Sequence, residues 1–319
     1  MRRLAARALQ SLIVVVIVTT ISFFVIRAAP GDPFAYDGPN ITQAVREHWR
    51  HQFGYDRPLA VQYGRYVSSV LHGQLGYSLQ YGEPVTAAIR QAVPRTLLLA
   101  GLSLALSFAI GIVMGVLQAV HRDGWFDRVS SGVLLVFYSL PDFWLALAAL
   151  MLFAYVWRVL PPGNIVDPVL HDYMTGWAAF ADRLRHMVLP VGSLTLLTTA
   201  AIARYQRAAM LDVLPADYVR TARAKGLPER QVIWRHALRT ALTPLVTMLG
   251  LLFPAILGGA LFVERVFAWP GMGSLAANAI GARDYDLVTA TVVVGSIMVV
   301  AGNFLADVLQ MLLDPRVRE

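Results

Sequence analysis

Six apolar runs long enough to span a membrane dominate this sequence and limit the folds that it can adopt. About 20 consecutive apolar residues cross the hydrocarbon core of a bilayer as a helix. Hydrophobic residues make up 57% of the chain and charged residues 15%, which is more apolar surface than a soluble core would bury. We therefore predict an all-α integral membrane protein with six transmembrane helices. The predicted spans are Leu9–Ile26, Thr96–Val120, Val133–Tyr155, Met187–Ala203, Ala241–Phe262 and Leu287–Leu313.

Two of these runs need further interpretation. Pro190 and Gly192 interrupt the fourth run, so we expect it to be the shortest span. The first run follows three arginines and precedes a pair of alanines, as in a cleaved signal peptide. Its apolar part is longer than a usual signal core, and Arg27 and Pro30 beside the alanines make a poor cleavage site. We expect the first span to be retained.

Arginine is concentrated at particular ends of the spans. Membrane proteins keep an excess of Lys and Arg on the cytoplasmic side. Arg2, Arg3 and Arg7 precede the first span, and the segment after the fourth span is rich in arginine. Both termini are therefore expected in the cytoplasm. Because membrane topology accounts for the net charge of +7, we expect contact with lipid and no nucleic-acid partner.

The segment 214–239 has the pattern of a short helix, a glycine elbow and a second helix. Pro215 suits the first turn of a helix, and Asp217 places negative charge at the positive end of its dipole. Gly226 can adopt the left-handed conformation that ends a helix, and Pro228 then opens the next one. The apolar residues of this second helix recur at helical spacing and are Val232, Ile233, Ala237 and Leu238.

The residue content excludes several kinds of chemistry. The chain has no cysteine, so it has neither a disulfide nor a thiolate metal site. Lys225 is its one lysine and follows Ala224, whereas a phosphate-binding loop needs a lysine after glycine. Any ATP hydrolysis must therefore come from a partner. The H-E-x-x-H and G-x-S-x-G patterns of hydrolases are absent from the sequence, so we expect no enzymatic activity.

The segment 214–239 resembles the cytoplasmic EAA loop of the permease subunits of ABC importers. Gly226 aligns with the glycine of that motif, although Arg220, Thr221 and Ala222 stand at the E-A-A positions. The sequence YVRTARAKGL followed by RHALR is similar to the oligopeptide and dipeptide importer branch. The resemblance implies a coupling helix that plugs into an ATPase; the alternative is an ordinary inner-face segment in contact with water or lipid headgroups. The predicted coupling residues are Asp217, Tyr218, Arg220, Thr221, Ala222, Arg223, Lys225 and Gly226.

Blocks outside the loop are similar to the same branch, in its first-permease form. Region 30–94 contains Pro30–Pro33 and Gly54–Leu59, but Gln74 stands where the branch usually has aspartate. We expect this region to be extracytoplasmic and either to contact a substrate-binding protein or simply to cap the spans. The matching blocks of the last third are Glu264–Phe267, Trp269–Gly273, Arg283–Tyr285 and Asp314–Arg318. Asp286 and Gln310 depart from the pattern, and we interpret both as local drift.

The resemblance implies an assembly and a division of labour. The N-terminal tail and first transmembrane helix would occupy residues 1–29, and the core permease domain would occupy residues 95–319. The extracytoplasmic region 30–94 would join them. The expected partners are a second permease in a heterodimer, two cytoplasmic ATPases that bind ATP and Mg, and a substrate-binding protein. This chain would hold no cofactor and would lie in a prokaryotic inner membrane. The resemblance implies peptide as the expected cargo. Oligopeptides, dipeptides, glutathione, nickel chelates and some sugars all stay open.

Polar and small residues within the spans have two possible roles. The series Ser103, Ser107, Gly111 and Gly115 lines one face of a helix and predicts close packing against another helix. Asp142 either lines the translocation pathway, where it would meet a cationic group of the cargo, or completes a capping box with Ser139 after the break at Pro141. The other pathway candidates, each equally suited to a hydrogen bond between helices, are Tyr138, Thr243, Thr247, Asn303 and Asp307.

A secondary transporter driven by an ion gradient is the alternative function. Such a protein would also have apolar spans and broken helices, but it usually has internal repeats and buried ion-coupling charges. We find no clear repeat in the sequence. Dependence of transport on ATP and a co-purified ATPase, without dependence on an ion gradient, would separate the two classes.

Overall fold

The computed structural model describes residues 2–28, 42–52 and 54–313. Regular structure in this part of the chain is almost entirely helical, which confirms the predicted all-α membrane fold. The motif Pro30–Pro33 and the block Asp314–Arg318 lie outside the described residues, as do the side chains of Thr247, Asp307 and Gln310.

The chain forms long helices joined by short helices and one small hairpin. In order they are α1 (Arg2–Ala28), α2 (Gln43–Gln52), α3 (Leu59–Leu71), β1 (Tyr77–Ser78), β2 (Glu83–Pro84), α4 (Val85–Val120), α5 (Trp125–Ser139), α6 (Asp142–Ala149), α7 (Trp177–Val213), α8 (Asp217–Ala224), α9 (Glu229–Gln231), α10 (Leu238–Ala241), α11 (Thr243–Val266), α12 (Met272–Ala282) and α13 (Tyr285–Leu313). Two π-helical stretches, Leu150–Val156 and Val232–Ala237, continue α6 and α9. The two strands pair antiparallel, with Tyr77 opposite Pro84.

Among the described residues, five helices are long and apolar enough to cross a bilayer: α1, α4, α7, α11 and α13. A sixth candidate span is the pair formed by α5 and α6 with its π-helical continuation, which is bent by 106°. The bend follows from Pro141, which lacks an N–H and forces extended backbone on Leu140, where ψ is 139°. The third predicted span is therefore broken and is not one continuous helix.

Helix α7 is much longer than the span predicted for it. It covers 37 residues and continues through Pro190, so the expectation of a short fourth span was wrong. One proline removes one N–H, whereas unwinding a helix in a membrane would expose many backbone groups that water cannot reach. Pro190 is also buried, so protein covers the interrupted turn.

The described residues fall into two compact units. The first comprises the described residues within 1–95 and 271–300, and the second comprises those within 96–270 and 301–319. The core of the second unit is built from apolar side chains of α4, α6, α7 and α11 and of the turn after α11. These side chains pack tightly enough to be almost fully buried, and they include Leu99, Leu104, Ala146, Leu189, Leu194, Ile256, Val263, Phe267 and Trp269. Burial of this kind gives one continuous core to α4, α6, α7 and α11.

Small residues on α4 pack directly against α7 in the second unit, as the sequence predicts. The hydroxyl of Ser107 donates to the carbonyl oxygen of Thr195 at 3.2 Å. A Cβ atom on Gly115 would lie 2.6 Å from the carbonyl oxygen of Ala203, so glycine is required for this approach. The ridge is confirmed as a helix-packing device.

The first unit is joined by aromatic packing between α1 and α3. Phe23 of α1 is 1% exposed, and its ring centroid lies 5.4 Å from that of Tyr63 and 5.2 Å from that of Tyr66. The hydroxyls of Thr20 and Tyr63 also share a hydrogen bond of 2.6 Å. Helix α3 therefore packs against the C-terminal part of α1 within this unit.

Candidate functional site

Helix α8 forms the first half of the predicted coupling loop. It begins at Asp217 after extended backbone at Ala216. Pro215 therefore lies in the turn before the helix, whereas the sequence suggested that it lies in the first helical turn. Asp217 occupies the first turn, as expected for a negative charge at a helix N-terminus. Gly226, just after the helix, has φ of +74°, which confirms the predicted left-handed position.

The two sides of α8 differ in exposure. Val219 and Ala222 are buried against apolar side chains of the same unit, and this cluster also contains Met210, Val232, Ile233, Ala237 and Ala241. Because Ala222 is buried against its own chain, the expectation that it contacts an ATPase needs correction. Ala222 instead packs α8 onto the rest of the second unit. The outer side is exposed and carries Asp217, Tyr218, Arg220, Thr221, Lys225 and Gly226.

Arg223 closes the elbow between the two helices of the loop. Its Nη2 donates to Oε1 of Glu229 at 2.8 Å, and its Nε donates to the same carboxylate at 3.2 Å. These hydrogen bonds hold the pKa of the Glu229 carboxyl below its usual range. The sequence suggested that Arg223 makes a charge contact with a partner. In the structure, part of its guanidinium is already bonded to Glu229 within the loop.

The second half of the loop is helical from Glu229 to Ala241, which confirms the helix predicted after Pro228. Its Val232 and Ile233 are buried in the cluster that also holds Val219 of α8 and Met210 of α7. Helix α8 is thereby attached on one side to the end of a membrane-length helix and on the other to the next helix. The loop is a packed element with one charged outer face.

The break between α5 and α6 is not a capping box. The hydroxyl of Ser139 donates to the carbonyl oxygen of Leu135 within α5 at 2.9 Å, and α6 has no side-chain cap. Asp142 is the first residue of α6 and is half-buried. The bonding expected between Ser139 and the start of α6 was therefore wrong, because Pro141 separates the two helices by a sharp bend.

Of the predicted pathway residues whose side chains the structure describes, Tyr138 alone lines the cavity beside α7. Tyr138 lines a cavity of about 660 Å³ formed by the end of α4, by α5 and by α7. Asp142 lies past the break, Thr243 begins α11, and Asn303 is exposed on α13, and these three are not among the residues that line this cavity. A role for each of them in transport stays a prediction.

A buried ion pair in the wall of this cavity escaped the sequence analysis. Arg207 of α7 donates to both carboxylate oxygens of Asp127 of α5, through Nε at 2.8 Å and Nη2 at 2.7 Å. The Asp127 side chain is 5% exposed and also accepts the N–H of Asp123 at 3.0 Å. In the sequence, Arg207 is one of many arginines expected on the cytoplasmic side. The one signal for Asp127 was an acidic residue close to the start of an apolar run.

Asp286, which we interpreted as drift, is a hub of the first unit. Its Oδ1 accepts from Tyr55 Oη at 3.3 Å and from Arg27 Nη2 at 3.5 Å. The guanidinium of Arg27 also stacks on the ring of Tyr55 at 3.9 Å and donates to Gln62 at 2.7 Å. Burial, followed by the charge of Asp286, raises the pKa of Tyr55, so its hydroxyl stays a donor. Asp286 therefore has a structural role in the first unit that the sequence did not indicate.

Asp284, two residues earlier, ties the hairpin to the start of α13. Its Oδ2 accepts from the hydroxyl of Ser78 at 2.6 Å and from the N–H of Gln80 at 3.2 Å. Its Oδ1 accepts from the N–H of Leu287 at 3.2 Å, which caps the helix. The block Arg283–Tyr285 is therefore a structural junction between two parts of the first unit.

Two family models match this chain and together cover most of it. The binding-protein-dependent transport system inner membrane component matches residues 107–319. The N-terminal model of the binding-protein-dependent transport system membrane component matches residues 1–100. The first match contains the coupling loop and the cavity, and the second contains α1 and α3.

Curated relatives match along almost the full length. The oligopeptide transport system permease protein AppB of Bacillus subtilis (strain 168) is 36% identical over 313 residues, 98% of this chain and 97% of the relative. A putative peptide permease protein of Brucella suis biovar 1 (strain 1330) is 39% identical over 317 residues, 98% of this chain and 97% of the relative. The probable D,D-dipeptide transport system permease protein DdpB of Escherichia coli (strain K12) is 39% identical over 319 residues, 96% of this chain and 94% of the relative.

Solved structures support the fold. A chain of the MetNI methionine ABC transporter in an inward-facing conformation matches with a TM-score of 0.52 and 19% identity, over 70% of this chain and 96% of that one. A second crystal form of the same transporter gives a TM-score of 0.51 and 20% identity, over 70% and 97% of the two chains. On the family match and the full-length relatives, this chain belongs to the binding-protein-dependent transport system inner membrane components, a family of multi-pass inner-membrane permeases.

Proposed function

We propose that this permease forms one half of the translocation pathway of an ATP-driven importer and that its cargo is peptide. The relatives that match over nearly the whole chain are named as oligopeptide, dipeptide and peptide permeases, which supports peptide over the other cargo. The second half of the pathway is a different permease in a heterodimer. The chain itself catalyses no reaction.

The observation that carries the coupling mechanism is the two-sided structure of α8. Its inner side, with Val219 at 0% exposure, is fixed to the chain, and its outer side offers Tyr218, Arg220 and Lys225 to a partner. A packed helix transmits rigid-body motion to the helices that it joins. Two partner ATPases that bind ATP and Mg and close on each other would therefore move α7, through a difference in binding energy between the two states.

The proposed orientation places the α8 surface and both termini in the cytoplasm. Arginines before α1 and around α8 support this orientation, since basic residues favour the cytoplasmic side. The extracytoplasmic region 30–94 then faces a substrate-binding protein that delivers cargo. In this arrangement the cytoplasmic face binds the ATPases, and the extracytoplasmic face binds the substrate-binding protein.

Photo-cross-linking in the assembled transporter tests the ATPase contact. The chain has no cysteine, so single cysteines can be introduced on an unchanged background and labelled with a photoactivatable maleimide. We expect labels at Tyr218→Cys and Lys225→Cys to cross-link an ATPase subunit. A label at Tyr173→Cys, at a residue that is 85% exposed in the loop between α6 and α7, is the control and should not cross-link it. ATPase cross-links from Tyr173→Cys and none from α8 would refute the proposal.

A further inference from the structure

The cavity beside Tyr138 has the size and lining of a small-molecule site. Its volume of about 660 Å³ lies within the range of roughly 300–1,000 Å³ that is usual for ligand pockets. Its walls combine apolar side chains, such as Leu134, Leu135 and Ala200, with Tyr138 and several charged groups. All of these residues belong to the second unit. The cavity therefore offers both an apolar surface and polar contacts to one ligand.

The charged residues of the cavity are the fixed pair of Asp127 and Arg207, a second acid, Asp123, and two further arginines. Asp123 pairs with Arg122, outside the lining, at 3.3 Å. Asp127 and Arg207 neutralise each other through two hydrogen bonds, and Ser131 Oγ also donates to Asp127 at 3.3 Å. This pair holds α5 and α7 together and defines the wall. Arg128 and Arg204 line the same cavity, and within the described part of the chain neither guanidinium makes an ion pair or a side-chain hydrogen bond. Because both acids of the lining are paired, the guanidinium groups of Arg128 and Arg204 are the charges left for a ligand.

The cavity lies close to the coupling loop along α7. Arg204 precedes Val213, where α7 ends, by nine residues, a rise of roughly 14 Å. In the proposed orientation this is the cytoplasmic end of the predicted fourth span, which closes at Ala203. A ligand held here is on the release side of the permease, next to the helix that leads into α8.

We propose that this cavity binds the α-carboxylate of peptide cargo, with Arg204 and Arg128 as the residues that receive it. The site rests on the proposed importer function and adds a recognition element to it. A guanidinium binds a carboxylate through two parallel hydrogen bonds, and it keeps its charge in a membrane. The apolar wall and Tyr138 accommodate cargo side chains, while the arginines offset the cost of bringing a carboxylate into the bilayer.

Binding of a matched pair of peptides tests the site directly. The probes are tri-alanine and its C-terminal amide, titrated into the assembled wild-type transporter in phosphatidylcholine nanodiscs without nucleotide or binding protein. We expect the free acid to bind about tenfold more tightly than the amide, as for loss of one charge-assisted contact. Equal binding of the two peptides would overturn the proposal, and this comparison needs no mutation.

Variants locate the site within the chain. Arg204→Gln should reduce the preference for the acid, Arg204→Gln/Arg128→Gln should remove it so that acid and amide bind equally, and Arg204→Lys should keep part of it. Arg183→Gln, in the exposed first part of the same helix, is the matched control and should keep the full preference. A preference that survives in the double variant would overturn the assignment.

Two further measurements separate the alternatives. If the cavity holds a lipid headgroup instead, phosphatidylglycerol will co-purify with the wild type but not with the double variant, and no preference for the acid will appear; that result also overturns the proposal. ATP-dependent peptide uptake by the wild-type transporter, measured in parallel with its binding protein, tests the proposed function separately. Uptake with equal binding of acid and amide would reject this site alone, whereas no uptake of either peptide would count against the importer function.

Discussion

The ion pair between Asp127 and Arg207 shows what a single residue contributes inside a membrane protein. Both oxygens of the carboxylate are occupied by one guanidinium, and the Arg207 side chain is 29% exposed against 5% for Asp127. A buried pair of this kind gains little over an apolar pair of the same shape, but removal of one partner leaves an uncompensated charge. The cost of losing Arg207 should therefore exceed the cost of losing both residues.

We expect Arg207→Met to lower the free energy of unfolding by about 3 kcal/mol, because the Asp127 carboxylate stays buried without its partner. The double variant Arg207→Met/Asp127→Leu should recover most of that loss. Unfolding in denaturant, measured on the full chain in micelles, gives both values, with Arg183→Met as an exposed control that changes stability by less than about 0.5 kcal/mol. A double variant less stable than the single one would contradict this account of the pair.

Residue-scale predictions from the sequence succeeded where local geometry decides and failed where distant residues meet. The left-handed conformation of Gly226 was predictable because helix ends favour glycine at that position. The role of Asp286 was not, since its partners Arg27 and Tyr55 are far away along the chain. Only the folded chain brings these groups within hydrogen-bonding distance.

At the scale of elements, the contact between α4 and α7 decides how closely two membrane-length helices approach. A Cβ atom on Gly115 would lie 2.6 Å from the carbonyl oxygen of Ala203 and 2.9 Å from the backbone nitrogen of Arg207. Backbone atoms cannot move aside as a side chain can. The contact therefore depends on glycine at this position of α4.

Gly115→Ala should destabilise the chain by about 1–3 kcal/mol, because the added methyl group forces α4 and α7 apart. Gly101→Ala is the matched control on the same helix, where an added Cβ would meet no atom within 4 Å. The control should be neutral or more stable by up to about 1 kcal/mol, since alanine favours helices. Unfolding curves of the two variants compare them, and equal stabilities would contradict the close packing.

The sequence identified most elements but misjudged where some of them end. Apolar length located the membrane helices, yet α7 runs through Pro190 because the surrounding helices hold its turns together. Pro141 had the opposite effect and ended α5 in a bend of 106°. Two prolines of the same chemistry gave opposite results, so tertiary packing, which the sequence does not display, decided the outcome.

At the scale of the whole molecule, the bent pair of α5 and α6 determines the number of membrane crossings. If the pair crosses once, the turn at Arg122 and the loop at Tyr173 lie on opposite sides of the membrane. If it enters and leaves by the same side, the two positions share a side. Because α7 lies between Tyr173 and Lys225 and crosses the membrane once, these two positions lie on opposite sides of it.

We expect single cysteines at Arg122 and Lys225 to react from the cytoplasmic side and one at Tyr173 to react from the outside, as in a pair that crosses once. An impermeant maleimide applied to intact cells and to inverted membrane vesicles measures this, on a chain without native cysteine. Labelling of Arg122→Cys and Tyr173→Cys from the same side would show that the pair is re-entrant.

The central claim is that α8 couples a separate ATPase to the membrane helices by staying rigid. Thr221, on its exposed side, allows a matched pair of substitutions at one position. Thr221→Pro removes the N–H within the helix and costs about 3 kcal/mol of helix stability, whereas Thr221→Ala preserves the helix. ATP-dependent peptide uptake by the reconstituted transporter is the deciding measurement. The account predicts that Thr221→Pro abolishes uptake and Thr221→Ala retains it; normal uptake with Thr221→Pro would contradict it.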